Sequence, residues 1–196
     1  MRKLLPTFIV AAMAAGAIAV TGAAAQTEGC DYMAGDGWFN TTAQQTHPLA
    51  KANFVFEGGC KYGSPTWGHL EYADDGNGLN LTSTSITAYI WDGNDALAVL
   101  NGRPIGARIL CGTAMTNLFG DVNFGLVVFD AGEPGTDDAV IIRLRQAGMT
   151  VYSTENPQED FTLGGTGKGG GNIQIFPATS GSFTAEPLGD SCPAFF

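Results

Sequence analysis

The sequence predicts an all-β protein, an antiparallel β-sandwich or barrel of about ten short strands. Apolar residues alternate with polar or small ones in many short runs, and this period-2 spacing puts every second side chain on one buried sheet face. Gly, Pro, Asp and Asn separate the runs, as hairpin turns require. Beyond the N-terminal segment no window keeps a helical apolar period, so we expect helix to be minor at most.

The clearest alternation lies in the second half of the chain, in Val122–Val128 and Val140–Leu144. Thr, Val, Ile and aromatic residues dominate the other runs, as a pleated and half-buried surface prefers. The predicted strands, in chain order, are Gly37–Thr41, Ala52–Glu57, Trp67–Ala73, Leu79–Trp91, Ala96–Leu100, Ala107–Met115, Val122–Asp130, Ala139–Gln146, Thr150–Ser153 and Asn172–Phe176.

The N-terminus has the features of a cleaved signal peptide over residues 1–25. Arg2 and Lys3 precede an apolar segment, Phe8–Val20, and Ala23–Ala25 offers a small-residue cleavage site. This segment is too short and too rich in Ala for a membrane span, which needs about 20 strongly apolar residues. We therefore expect a secreted or periplasmic product with no membrane span after cleavage.

Residues 26–196 suit one all-β domain, in which residues 178–196 form a less regular C-terminal tail. Without Arg2 and Lys3, 7 of the 9 basic residues remain against 19 acidic ones, a net charge of −12. Such a charge argues against nucleic acid or an anionic membrane as partner.

The four cysteines of an exported chain predict two disulfides. Three pairings are possible. Cys30 and Cys192 lie near the two ends of the mature chain, whereas Cys60 ends one predicted strand and Cys111 lies within another. We predict the pairs Cys30–Cys192 and Cys60–Cys111. Zinc is disfavoured because the chain has no Cys-x-x-Cys pair.

Several short motifs span most of Gly35–Phe176; in order they are Gly35–Trp38, Lys51–Phe56, Gly68–Asp74, Ala107–Thr113, Asp130–Asp138 and Gly170–Ile173. Their order and spacing resemble the bacterial post-COAP-1 domain. The resemblance implies an extracellular β module, often attached to other secreted domains, and it implies no known reaction. The four cysteines depart from the family pattern.

Calcium is the one cofactor that the sequence suggests. The loop after the Val122–Asp130 strand carries Asp130, Glu133, Asp137 and Asp138, and calcium takes six to eight oxygen ligands of this kind. The alternative is ordinary turn chemistry, because Asp and Gly are also the usual residues of tight turns. No segment matches the full EF-hand spacing.

A set of aromatic residues could form a sugar-stacking platform, since aromatic rings combine a large apolar area with a polar handle. The set is Trp38, Tyr62, Trp67, Tyr89 and Trp91, of which Trp38, Trp67 and Trp91 are the candidate ligand-binding residues. The alternative is that most of these rings belong to the core or to turns.

No catalytic motif accompanies these features. Gly-x-Ser-x-Gly is absent, and the two histidines have no recognisable partner. We therefore predict an exported, non-enzymatic binding or structural module whose partner is an extracellular glycan or protein. The alternative is a secreted glycan-acting hydrolase, because the separation of two carboxylates is invisible in a sequence.

Overall fold

The computed structural model describes residues 31–41, 50–61, 66–91, 99–155, 162–164, 169–177 and 192. The predicted signal peptide, Cys30 and nearly all of the predicted tail lie outside the described residues, as does the side chain of Trp91. No helix in the described part of the chain has the length and apolar character to cross a membrane.

The predicted all-β architecture is confirmed. In chain order, the strands are β1 (Tyr32–Thr41), β2 (Ala50–Gly59), β3 (Trp67–Asp74), β4 (Leu79–Trp91), β5 (Val99–Leu100), β6 (Arg103–Pro104), β7 (Gly106–Thr116), β8 (Gly120–Asp130), β9 (Ala139–Gln146), β10 (Met149–Ser153) and β11 (Gly171–Phe176). Two differences from the prediction matter below. Strand β1 begins five residues earlier than expected, at Tyr32, and the short β6 was not predicted.

Nine of the strands form one antiparallel sheet in the order β10-β9-β8-β7-β4-β3-β2-β1-β11, and β5 pairs with β6 in a separate hairpin. Strand β4 is the corner of this sheet. Its first residues pair with β3, whereas its later residues pair only with β7. Register shifts after Ser83 and Ile86 interrupt its pairing with β7, and such bulges bend a strand and increase its twist.

The bend folds the sheet into a sandwich over one core. One layer contains β11, β1, β2 and β3, and the other contains β7, β8, β9 and β10. Alternate side chains of both layers point inward, so Phe56 and Leu70 of the first layer share a buried cluster with Phe124 and Ile142 of the second. All four side chains are at most 2% exposed.

Hydrogen bonds between side chains tie the edge strand β10 to the opposite layer. The hydroxyl oxygens of Tyr152 on β10 and Tyr72 on β3 are 2.5 Å apart, and the Tyr152 hydroxyl also donates to Asp74 Oδ2 at 2.8 Å. Burial raises the pKa of both phenols, so they stay protonated and keep their hydrogen bonds.

A buried ion pair joins the start of β1 to the second layer. Arg108 on β7 is fully buried, and its Nη2 donates to Asp31 Oδ2 at 2.6 Å. The Tyr89 hydroxyl donates to the other oxygen of Asp31 at 2.5 Å. Burial raises the pKa of Tyr89, so this phenol remains a donor.

The predicted disulfide pairing is wrong. Cys111 is bonded to Cys192, with their Cα atoms 5.3 Å apart, which rules out both Cys60–Cys111 and Cys30–Cys192. Cys60 is itself disulfide-bonded. The physical reason is orientation: Cys111 points to the outer face of β7, where it packs with Ala88 and Ile90 of β4, whereas its predicted partner lies in the core between the layers.

We expect Arg108→Met to lower the free energy of unfolding by about 3–5 kcal/mol, because it leaves the buried Asp31 carboxylate without its charged partner. Urea unfolding followed by tryptophan fluorescence measures this change. Arg103→Met is the matched control: its side chain is 57% exposed, so its loss should change stability by no more than about 0.5 kcal/mol. Equal losses in the two variants would contradict a structural role for the buried pair.

Candidate functional site

The outer face of the first layer carries the largest group of partly exposed aromatic residues in the described part of the chain. Strand alternation turns the even-numbered residues of β1 and the odd-numbered residues of β2 and β3 outward. We call this surface, on β11, β1, β2, β3 and the start of β4, the platform. Its rings belong to Tyr32, Trp38, Trp67 and Phe176.

The first cross-strand row of the platform contains three of these rings and one glycine. Tyr32 pairs with Phe176 on one side and Gly59 on the other, and Gly59 pairs with Trp67. The rings of Tyr32 and Phe176 stack at 4.8 Å between centroids and 8° between planes. Tyr32 and Trp67 therefore flank a position that has no side chain.

Gly59 is required at this position for two reasons. Its φ of +115° is a conformation that residues with a side chain rarely adopt. A Cβ here would also lie 2.7 Å from the Cα of Tyr32. The missing side chain leaves a gap between the two flanking rings, which we call the slot.

The ammonium group of Lys61 lies in the slot. Its Nζ is 5.6 Å from the centroid of the Tyr32 ring and 4.9 Å from that of Trp67. Glu57 borders the slot from the next row, with Oε2 3.7 Å from Lys61 Nζ, and its Oε1 lies 3.4 Å from Nδ1 of His69. Two rings and a carboxylate thus surround one cation.

The second aromatic position of the platform is Trp38, about 20 Å from Tyr32 along β1 at the usual rise per residue. A glycine-rich segment holds its backbone: Trp38 N donates to Gly170 O at 2.6 Å, and Gly164 N donates to Trp38 O at 2.8 Å. A Cβ on Gly170 would lie 1.8 Å from Gly164 N, so only glycine permits this approach. Lys51 Nζ lies 3.9 Å from the centroid of the Trp38 ring.

A groove of about 310 Å³ runs across β2, β3 and β4. It is lined by Ala73 and by Asn53, which is the cross-strand partner of Trp38. Its other outward-facing residues are Val55, Glu71, Asn80 and Thr82. The groove therefore offers amide, hydroxyl and carboxylate groups next to an aromatic ring.

The platform is acidic. Its carboxylates belong to Asp36, Glu57, Glu71 and Asp75, and the last of these accepts a hydrogen bond from Asn53 at 3.4 Å. The described lysines near them are Lys51 and Lys61, and each already lies over a ring. An anionic ligand would meet an unfavourable field on this surface.

Of the predicted ligand-binding residues, Trp38 and Trp67 lie on the platform, while Trp91 ends β4 and its side chain is outside the described part. Tyr62 is also outside it. Tyr89, which the sequence analysis included among the possible sugar-stacking rings, is 3% exposed and belongs to the core. Tyr32 and Phe176 were not predicted as surface rings. Side chains from Tyr32 to Trp38 alternate in the sequence, but Gly35 and Gly37 have no apolar side chain, so the predicted strand begins only at Gly37.

The two buried members of the four predicted calcium ligands, Asp130 and Asp138, accept main-chain hydrogen bonds in the structure. Asp130 Oδ2 accepts from Ile175 N at 2.8 Å, and Asp138 Oδ2 accepts from Ile173 N at 2.7 Å. Their other oxygens accept from the loop amides of Gly132 and Ala131.

The remaining two candidates, Glu133 and Asp137, are exposed, and Glu133 Oε1 lies 3.6 Å from the Arg103 guanidinium. Among the residues that the structure describes, no three His, Cys, Asp or Glu side chains are grouped to hold a metal ion. Calcium binding at this loop stays a prediction.

Burial raises the pKa of both Asp130 and Asp138, although the main-chain hydrogen bonds to each carboxylate act in the opposite direction. The two side chains are 4% and 0% exposed. They satisfy the outward amides of β11, which pairs with no described strand on that side.

No protein-family model matches this chain, and neither a curated protein nor a solved structure matches it. The resemblance to the post-COAP-1 domain therefore stays a prediction.

We expect Asp138→Asn to destabilise the fold by about 1–3 kcal/mol at pH 7, because the amide can accept only one of the two main-chain hydrogen bonds. The difference in free energy of unfolding between the wild type and the variant should increase as the pH falls from 7 towards 4. The raised pKa means that the folded wild type binds a proton more readily than the unfolded chain. Protonation of Asp138 therefore stabilises the folded wild type. This contribution is fully present below the ordinary pKa of an aspartate and is lost as the pH rises through the raised pKa of Asp138.

Thermal unfolding at several pH values measures this effect. Asp137→Asn, in the same loop but exposed, is the control and should change stability by no more than about 0.5 kcal/mol. A difference that narrows towards pH 4 would contradict a raised pKa for Asp138.

Proposed function

We propose that this protein is an exported, non-enzymatic binding module that contacts an extracellular glycan through the platform. The main observation behind the proposal is that partly exposed rings and a groove with polar groups lie on the same open sheet face. Trp38 pairs across strands with Asn53, and Asn53 lines a groove whose other polar groups, Glu71 and Asn80, can accept or donate hydrogen bonds. Sugars present apolar C–H faces and many hydroxyl groups, and this combination complements both.

The shape of the platform supports binding of an extended chain. The slot and Trp38 lie about 20 Å apart along β1, and the rows between them contain small or polar side chains such as Ala34 and Gln174. A flexible polymer can contact both aromatic positions at once, whereas a small molecule can reach only one.

The charges of the described residues support a non-enzymatic role over hydrolysis. A glycosidase needs a carboxyl group with a raised pKa within reach of the scissile bond. The carboxyls whose pKa burial raises, Asp130 and Asp138, are at most 4% exposed and accept main-chain amides. A substrate on the platform does not reach them.

Export is supported by the covalent structure as well as by the N-terminal sequence. A Cys111–Cys192 disulfide persists in oxidising compartments and is rare in the cytosol. The acidic net charge supports a partner other than nucleic acid, because phosphate backbones are bound by basic surfaces.

Trp38→Ala should weaken glycan binding about tenfold or more, equivalent to about 1.4 kcal/mol, because aromatic anchors dominate binding surfaces. The measurement is affinity electrophoresis of the full chain in gels containing neutral, amine-bearing or acidic polysaccharides, followed by calorimetry with the ligands that retard it.

Phe129→Ala is the matched control, since it removes a 40% exposed ring from the other layer. It should leave binding unchanged. Equal losses in both variants would contradict the platform. Turnover of any polysaccharide that disappears in a folded Glu71→Gln variant would overturn the non-enzymatic role.

A further inference from the structure

Both lysines in the described part of the chain place their ammonium group over an aromatic ring of the platform. Lys51 Nζ lies 3.9 Å from the Trp38 ring, and Lys61 Nζ lies in the slot between Tyr32 and Trp67. Because the same chemistry recurs at the two aromatic positions, the rings of this surface have an environment that stabilises a cation.

The slot has dimensions that suit a single ammonium group. Tyr32 and Trp67 lie on the strands either side of β2, and adjacent strands are about 4.8 Å apart, so the two backbones are separated by about 10 Å. One ammonium can therefore approach both rings, and Lys61 Nζ does so at 5.6 Å from one centroid and 4.9 Å from the other. Gly59 keeps the space between them open.

The electrostatics of the slot favour positive charge from two directions. The faces of Tyr and Trp rings carry partial negative charge, which attracts an ammonium within about 6 Å of the centroid. Glu57 adds a full negative charge 3.7 Å from the Lys61 ammonium. Asp36 and Glu71 make the surrounding surface acidic and so attract cations over a longer range.

We propose that the platform selects a glycan that carries protonated amino groups, and that one such ammonium replaces Lys61 in the slot. In the structure the Lys61 ammonium occupies the position that the ammonium of the ligand would take. The Lys61 side chain is 36% exposed, so it can turn into solvent without disturbing the core. This inference rests on the proposed function, because it names the class of glycan for the same surface.

The inference makes a distinction that the proposed function alone does not make. A ligand that binds through stacking and hydroxyl contacts would tolerate acetylation of its amino groups. A ligand whose ammonium enters the slot would lose affinity on acetylation, because the neutral amide lacks the positive charge that the ring faces and Glu57 attract.

The first experiment compares three oligosaccharides of equal length by calorimetry with the full chain at about pH 5.5, where an alkylammonium group keeps its proton. They are oligomers of glucosamine, of N-acetylglucosamine and of glucose. We expect the glucosamine oligomer to bind about tenfold more tightly than the other two, or better. Tyr32→Ala should remove most of this preference, with circular dichroism showing that the variant is folded.

The second experiment uses Lys61→Met, which keeps an apolar stem against the rings and removes the resident ammonium. Affinity for the glucosamine oligomer should rise about fivefold, because the ligand no longer competes with Lys61. Arg143→Met is the control: it removes one positive charge from β9 of the other layer, where the side chain of Arg143 lies against Glu155. It should change affinity less than twofold, about the effect of net charge alone.

The outcomes separate the two proposals. Equal binding of the three oligomers overturns the inference and leaves glycan binding by the platform intact. An equal rise in affinity in Lys61→Met and Arg143→Met, or a fall in Lys61→Met, overturns the competition between lysine and ligand. Failure of every glycan to bind overturns both the inference and the proposed function.

Discussion

The fold depends on how a single nine-stranded sheet closes over its core. An open sheet of this size leaves two edge strands, each with a row of unpaired amides and carbonyls. Here side chains reach both edge strands from the opposite layer: Asp130 and Asp138 accept the outward amides of β11, and the Tyr72 hydroxyl is hydrogen-bonded to that of Tyr152 on β10. These contacts hold the two layers together at the positions where no strand pairing can do so.

The two outer faces of the closed sheet differ in the residues that they carry. On the second layer, Cys192 is bonded to Cys111 and packs with Ala88, Ile90 and Ile109, so this face carries an apolar cluster. The outer face of the first layer instead presents rings, amides and carboxylates, with small residues between them. The same sheet therefore carries an apolar, disulfide-bonded cluster on one side and leaves a partly exposed aromatic surface on the other.

Glycines connect the packing of the fold to the chemistry of the platform. Gly59 leaves the slot open between two rings, and Gly170 lets a loop backbone approach Trp38. A side chain at either position would collide with backbone atoms, which would alter the placement of the nearest aromatic ring. The glycine content that predicted turns thus also shapes a surface, because glycine permits close contact between backbones.

The sequence by itself determined the class of fold and most strands. Alternation of apolar side chains is a local property, so it can be recognised within one segment without knowing which strands pair with it. It also identified Trp38 and Trp67 as candidate contacts. The tertiary structure alone decided what the distant residues do. Asp138 serves an edge amide 35 residues away, and Cys111 pairs across a separation of 81 residues. Such partners depend on the strand order and on which face each residue occupies, and neither is encoded in local spacing.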